Sequence, residues 1–155
     1  MQNTTQLLIA LLTCLALTAC SWSQHFAIVN TTQDTLTITY TFQQPPLQQY
    51  IFVENPIAYS IKEDYQPNWS SPNPLTDEDS TTLTVQVKLP PSQVLVFGTL
   101  RNDEYEGADH RPINGQLFNL QTLRIERGET VEHISAQTFD SYFMKRKDYI
   151  RYVIE

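Results

Sequence analysis

Glycine and cysteine are in short supply in this chain, with four and two residues in 155. A phosphate-cradling loop brings backbone against its ligand at several glycines, so nucleotide binding of that kind is poorly supported. Both cysteines, Cys14 and Cys20, lie near the start, and no paired CxxC exists to hold zinc. The three histidines, His25, His110 and His133, are far apart, and neither HExxH nor GxSxG occurs. Positive charge is also deficient: ten Lys and Arg face seventeen Asp and Glu, for a formal net charge of −7. Nucleic acid is therefore not an expected partner, because phosphate binding needs a basic face. Nor is there a run of roughly twenty apolar residues, the length a bilayer-spanning helix requires.

What is present begins with an apolar stretch from Leu7 to Leu17, broken only by Thr13 and Cys14. At about eleven residues it suits the core of an export signal and falls short of a membrane span. It closes on Leu17-Thr18-Ala19-Cys20, a large aliphatic residue and two small ones before a cysteine. Through these residues the chain resembles a bacterial lipoprotein precursor, over about its first twenty residues. The resemblance implies removal of residues 1–19, a diacylglyceryl thioether on Cys20 and acylation of the new amino terminus. Three acyl chains would make attachment to the bilayer essentially permanent. Ser21, where an Asp commonly signals inner-membrane retention, points to the outer membrane, with the domain facing the periplasm. No Lys or Arg stands before Leu7, so the positive charge usual there is left to the terminal amine. An ordinary secretory signal cut near Ala19, leaving Cys20 a free thiol, and an uncleaved amphiphilic tail stand as alternatives.

The expected organisation is a signal peptide over 1–19, a lipidated tether over 20–24 and a single domain over 25–155. With Cys14 removed and Cys20 acylated, no disulfide is available, and stability has to come from packing alone. Alternation supplies the elements. His25–Asn30 and Leu36–Phe42 read as a hairpin around Thr31-Thr32-Gln33-Asp34, ended by Pro45-Pro46. Residues 47–62 suggest two short extended pieces broken at Pro56. Residues 63–80, rich in Pro, Asn, Ser and Asp, read as a long loop that Trp69 would fold back onto the body. Leu83–Leu89 and Val94–Phe97 predict a second hairpin, its second strand buried on both faces, with Gly98 marking an end or a bulge. Residues 117–125 and 130–135 predict a strand pair around Arg127-Gly128. Phe139, Tyr142 and Phe143 fit one face of a short helix that Thr138 would cap, and Tyr149–Ile154 a closing strand. About eight strands with one short carboxyl-terminal helix predict a mainly β fold, an antiparallel β-sandwich of immunoglobulin-like or transthyretin-like type.

Candidate sites are few. Asn102 to His110 is the densest group of oxygen ligands, with Asp103, Glu104, Glu106 and Asp109 as candidates for a cation. The echo of a calcium loop fails at both ends, at Asn102 and Ile113, so a solvated acidic loop is the expected reading and no metal or other cofactor is expected. Asp77-Glu78-Asp79 is read the same way. Lys145-Arg146-Lys147 with Arg151 is the basic cluster, set near Tyr142, Tyr149 and Tyr152; a solvated helix end is the expected reading, and the functional one is a contact for an acidic partner, lipid head groups or glycan anions. Trp69 marks the loop on which a partner contact is expected first.

The function these features predict is a membrane-anchored periplasmic lipoprotein acting as a non-catalytic binding or assembly module of an envelope complex. Its expected partners are the lipid bilayer, through acylated Cys20, and an envelope protein. The alternative is a small-ligand or inhibitor module using the aromatics Tyr50, Phe52, Tyr59, Tyr65 and Trp69. A third reading, an envelope hydrolase, requires a Ser or Asp beside His110 or His133 in a cleft.

Overall fold

Leu36, Ile38, Tyr40 and Phe42 are buried, while the threonines between them are half-buried. That period of two makes Leu36–Phe42 a strand with one face in a core. The computed structural model describes residues 21–43, 49–76, 83–109, 111 and 114–155. In chain order the strands are β1 (Ser23–Asn30), β2 (Leu36–Phe42), β3 (Phe52–Ile61), β4 (Pro67–Pro74), β5 (Thr84–Leu89) and β6 (Gln93–Arg101). They continue with β7 (Leu120–Arg127), β8 (Thr130–Ser135), β9 (Met144–Arg146) and β10 (Tyr149–Ile154); a one-turn helix, α1 (Phe139–Tyr142), precedes β9. The strands form two sheets, β4-β3-β6-β1-β10-β9 and β5-β2-β7-β8. Among the described residues the chain is mainly β, with one short helix, and builds a β-sandwich. No described helix is long and apolar enough to cross a membrane.

Between the sheets lies a core of Phe26, Ile28, Tyr40, Phe52, Phe97 and Phe139, joined by aliphatic residues of both sheets. Their rings meet edge-on or tilted at 5.0–6.1 Å, as in Phe26–Phe52, Tyr40–Phe97 and Phe52–Phe139, the geometry that aromatic quadrupoles favour. A second apolar cluster, Ala27, Val29 and Val94 with Val153 and Ile61, occupies the opposite face of the six-stranded sheet. Strand β1 is therefore apolar on both faces and takes a central place in its sheet.

The two expected hairpins are arches instead. Strand β1 joins the six-stranded sheet and β2 the four-stranded one; β5 and β6 divide in the same way. The reason lies in their faces: β1 and β6 carry apolar residues on both sides, whereas β2 and β5 have one wet face and suit an outer sheet. Among the described residues ten strands form rather than about eight. Within 63–80, where a loop was expected, the chain makes a 3-10 turn over Glu63–Tyr65 and then β4. Strand β4 holds Pro67, Pro72 and Pro74, tolerated because it lies at a sheet edge. Strand β3 runs through Pro56, whose missing donor falls where pairing with β6 shifts register between Phe52 and Ile57. Gly98 sits at the other predicted irregularity, opposite Phe26, where β6 bulges against β1. Strand β10 lies parallel to β1, from His25 beside Tyr149 to Asn30 beside Ile154, and every other strand pair is antiparallel. Thr138 precedes α1 without capping it; its hydroxyl accepts from the Ser135 amide at 3.0 Å.

Candidate functional site

Trp69 projects from edge strand β4 and leaves 45% of its surface exposed. Its indole packs edge-on against Tyr59 at 4.9 Å and lies 4.8 Å from the imidazole of His25. Since β3 and β6 stand between β4 and β1 in the sheet, this contact carries the Trp69 side chain across the outer face to β1. The Trp69 segment thus folds back onto the body, as its sequence predicts. His25 in turn lies 6.0 Å from the ring of Tyr149 on β10.

Beyond Tyr149 the face becomes cationic. Tyr149 and Arg151 point outward on β10 while Ile150 between them is buried. Arg146 on β9 is in register with Tyr149, so it shares their face, whereas Lys145 is in register with Ile150. An open groove of about 510 Å³ lies here, walled by Asp64 and Gln66 of the β3–β4 turn on one side. Its other lining is Tyr149, Arg151 and the Lys145-Arg146-Lys147 run. The Arg151 guanidinium donates to the carbonyl of Asp64 and stands 5.6 Å from the centre of the Tyr65 ring, a cation–π contact. Of the five described residues other than glycine with positive φ, three lie in the turns beside this groove: Asp64, Tyr65 and Lys147, at 56°, 58° and 53°. Such conformations cost energy and gather where structure serves a site.

Trp69, Arg146, Lys147 and Arg151, separate in sequence, therefore share one surface. Lys145 turns aside: it pairs with Glu104 and donates to the Tyr105 carbonyl at 3.2 Å. Arg146 and Lys147 are exposed and form no ion pair among the described residues. The place of His25 between Trp69 and Tyr149 was not legible in the sequence, because its ring neighbours come from β4 and β10. Its Nδ1 lies 3.2 Å from the Thr99 hydroxyl. Burial lowers its pKa below the ordinary 6.5, with the charge of Asp148 opposing and that of Arg101 assisting.

The side chains of the acidic loop contact the fold around it. The Asp103 carboxylate accepts from the Glu104 amide at 2.8 Å, and Glu104 pairs with Lys145. Tyr105 is buried: its amide donates to Gln24 and its hydroxyl to Asp140 at 2.6 Å. Burial, and then Asp140, push the Tyr105 hydroxyl pKa far above its usual value. Asp140 also accepts from the Ala108 amide at 3.1 Å and, with Asp109, lines a second open cavity of about 520 Å³. No group of three or more His, Cys, Asp or Glu placed to hold a metal occurs among the described residues.

Of the aromatic stretch, Tyr50, Phe52 and Tyr59 are buried, and Tyr65 and Trp69 stay at the surface. His133 is exposed on β8. Cys20, the apolar run before it, Asp77-Glu78-Asp79 and His110 lie outside the described residues. The described chain is already fixed at Trp22, whose carbonyl accepts from the Asn102 amide at 2.9 Å. Compared with protein-family models, with curated proteins and with solved structures, the chain matches none.

Proposed function

We propose that this chain is a membrane-anchored periplasmic lipoprotein whose sandwich works, without catalysis, as a binding or assembly module of an envelope complex. The resemblance of Leu17-Thr18-Ala19-Cys20 to a lipobox supports the anchor. The observation that carries the binding role is the continuous array Trp69–His25–Tyr149 running into Arg151 and the basic groove. It joins the exposed indole of Trp69 to cations that form no ion pair among the described residues, and Trp, Tyr and Arg are the types that dominate binding energy at interfaces.

The array also lies near the start of β1, the first strand after the proposed anchor in sequence. Strand β1 starts three residues after Cys20. The turn between β9 and β10 meets that start: Gln24 donates to the Lys147 carbonyl at 3.4 Å and the His25 amide to the Asp148 carbonyl at 2.8 Å. A lipid on Cys20 would place the groove beside the headgroups, and its partner would be a membrane-proximal protein. The same groove also suits the alternative reading, a small-ligand module, since its volume falls in the range of ligand sites and Tyr65 stands between its lining residues Asp64 and Gln66.

The test is photo-crosslinking in the membrane-extracted protein, with the crosslinker at Arg146 or, as a control, at Thr39 on the four-stranded sheet. A discrete adduct from Arg146 alone, lost in Cys20→Ala, is the expected outcome. If no reproducible envelope adduct forms, and intact mass shows a bare chain cut near Ala19, the reading fails. Ligand-dependent thermal stabilisation without an adduct would favour the small-ligand alternative.

A further inference from the structure

Arg151 is the fixed member of the groove. With its guanidinium held by the Asp64 carbonyl and the Tyr65 ring, its planar fork is oriented while further N–H donors remain for a ligand. Arg146 lies across the β9–β10 pair, diagonal to Arg151 on the same face, where such positions stand roughly 7–8 Å apart. Lys147 follows at the turn. Three cations that form no ion pair among the described residues thus gather on a protein of net charge −7. The one carboxylate of the lining belongs to Asp64. The opposite end of the array is uncharged: Trp69 offers an exposed indole beside His25 and Tyr149.

We infer that this groove docks an extended acidic protein segment, with a Glu or Asp carboxylate clamped by Arg146 and Arg151 and an apolar or aromatic side chain of the same segment resting on Trp69. The proposal rests on the binding-module reading for its natural occupant. Its chemistry follows from the lining. A guanidinium fork matches a carboxylate in two hydrogen bonds, and an exposed indole takes an apolar neighbour with little loss of side-chain freedom. The shape favours a chain segment over a bilayer, because the β3–β4 turn and the β9–β10 hairpin stand as two walls that a flat surface does not enter. Overall acidity sets the specificity: a long polyanion would be repelled by the surrounding surface, whereas a short acidic stretch meets the cations alone.

The test is a titration of Trp69 fluorescence in the full-length protein carrying Trp22→Phe. The probe is a synthetic peptide alternating Glu and Phe, with its Lys–Phe counterpart, inorganic phosphate and phosphatidylglycerol vesicles as comparisons. The acidic peptide is expected to give a saturable change, weakened about tenfold by Arg146→Gln and unaffected by Arg124→Gln on the other sheet. Arg151→Lys, which keeps the charge and loses the fork, is expected to weaken it too. Because the Arg146 side chain forms no ion pair among the described residues, Arg146→Gln tests the site even if Arg151 variants fail to fold. Equal binding by wild type and Arg146→Gln, no saturable change, or a preference for phosphate or vesicles over the acidic peptide would overturn the proposal. Peptide binding without an envelope crosslink would leave the groove and remove the envelope role. A crosslink without peptide binding would do the reverse.

Discussion

The indole of Trp69 and the imidazole of His25 lie 4.8 Å apart, their planes inclined by 55°, so the protonation state of one ring is reported by the other. Burial is the main cause that lowers the His25 pKa below 6.5; the folded chain therefore holds this proton less tightly than the unfolded chain. Between the folded pKa and 6.5, unfolding takes up a proton and stability rises with pH. Above 6.5 the term is constant, and on acidification below it stability is lost. We predict that in Trp22→Phe protein the emission of Trp69 falls on acidification, with a midpoint below 6.5, because imidazolium accepts an electron from excited indole. His25→Gln is expected to flatten both the emission profile and that part of the pH dependence of urea unfolding. An unchanged profile in His25→Gln would show that the rings are not coupled in solution.

Asn30 is fully buried where the two sandwich arches meet. Its amide nitrogen donates to the carbonyls of Asp34, Leu89 and Pro90 at 2.8–3.1 Å. Its oxygen accepts from the Thr32 amide and hydroxyl at 3.1 and 2.8 Å. One side chain thus holds the β1–β2 connection against the β5–β6 connection. Asn30→Ala removes the donor and strands carbonyls and an amide in the interior, at a cost of about 2–4 kcal/mol. The measurement is the urea midpoint, which should drop with the slope m unchanged. Asn30→Asp should destabilise further near neutral pH, since a carboxylate faces three carbonyl oxygens, and recover in part on acidification as it gains a proton to donate.

The same residue shows where sequence reading stops. Alternation in 36–42 and the apolar run 94–97 located β2 and β6, because side-chain period is a local property of the chain. Whether β1 and β2 pair or cross between sheets depends on Asn30 meeting carbonyls of Leu89 and Pro90, some sixty residues onward. No local pattern encodes that contact, and a Thr-Thr-Gln-Asp turn serves a hairpin or an arch. The prolines of β4 argue for a loop until the strand is known to sit at an edge. For the groove, the types at 69, 146, 147 and 151 were legible as exposed aromatic and cations. Their union on one face was not, since it follows from the parallel seating of β10 beside β1, the two ends of the described chain. His25 joined them only through that seating.

Gly98 is required by a close approach of β3. A Cβ at this position would fall 2.8 Å from Phe52 Cδ1 and 3.1 Å from the Ile51 carbonyl oxygen. Phe52 is fully buried among Phe26, Phe97 and Phe118 and has little room to yield. Gly98→Ala is expected to cost about 1–3 kcal/mol through overpacking. Differential scanning calorimetry checks it, and a neutral result would mean that the Phe52 ring relocates. The double change Gly98→Ala with Phe52→Leu should recover part of the loss, which a purely backbone effect would not allow.

Asp140 belongs to α1, yet its carboxylate acts on the loop that leaves β6. One oxygen accepts from the Tyr105 hydroxyl at 2.6 Å and the other from the Ala108 amide at 3.1 Å. Tyr105 itself packs edge-on against Phe26 at 5.0 Å, so the acidic loop is pinned to the core by a tyrosine with a charged acceptor. Hydrogen bonds of this charge-assisted kind are stronger than neutral ones. Asp140→Ala would leave a buried phenol without its acceptor and free the Ala108 amide, costing about 1–3 kcal/mol. The change should be local first: amide exchange at Ala108 and along 103–109 accelerates more than exchange in β1 or β6. Tyr105→Phe separates the two halves of the contact, because it removes the hydroxyl and keeps the ring in place. If exchange at Ala108 is unchanged in Asp140→Ala, the loop is held by Gln24 and the Tyr105 ring rather than by the carboxylate.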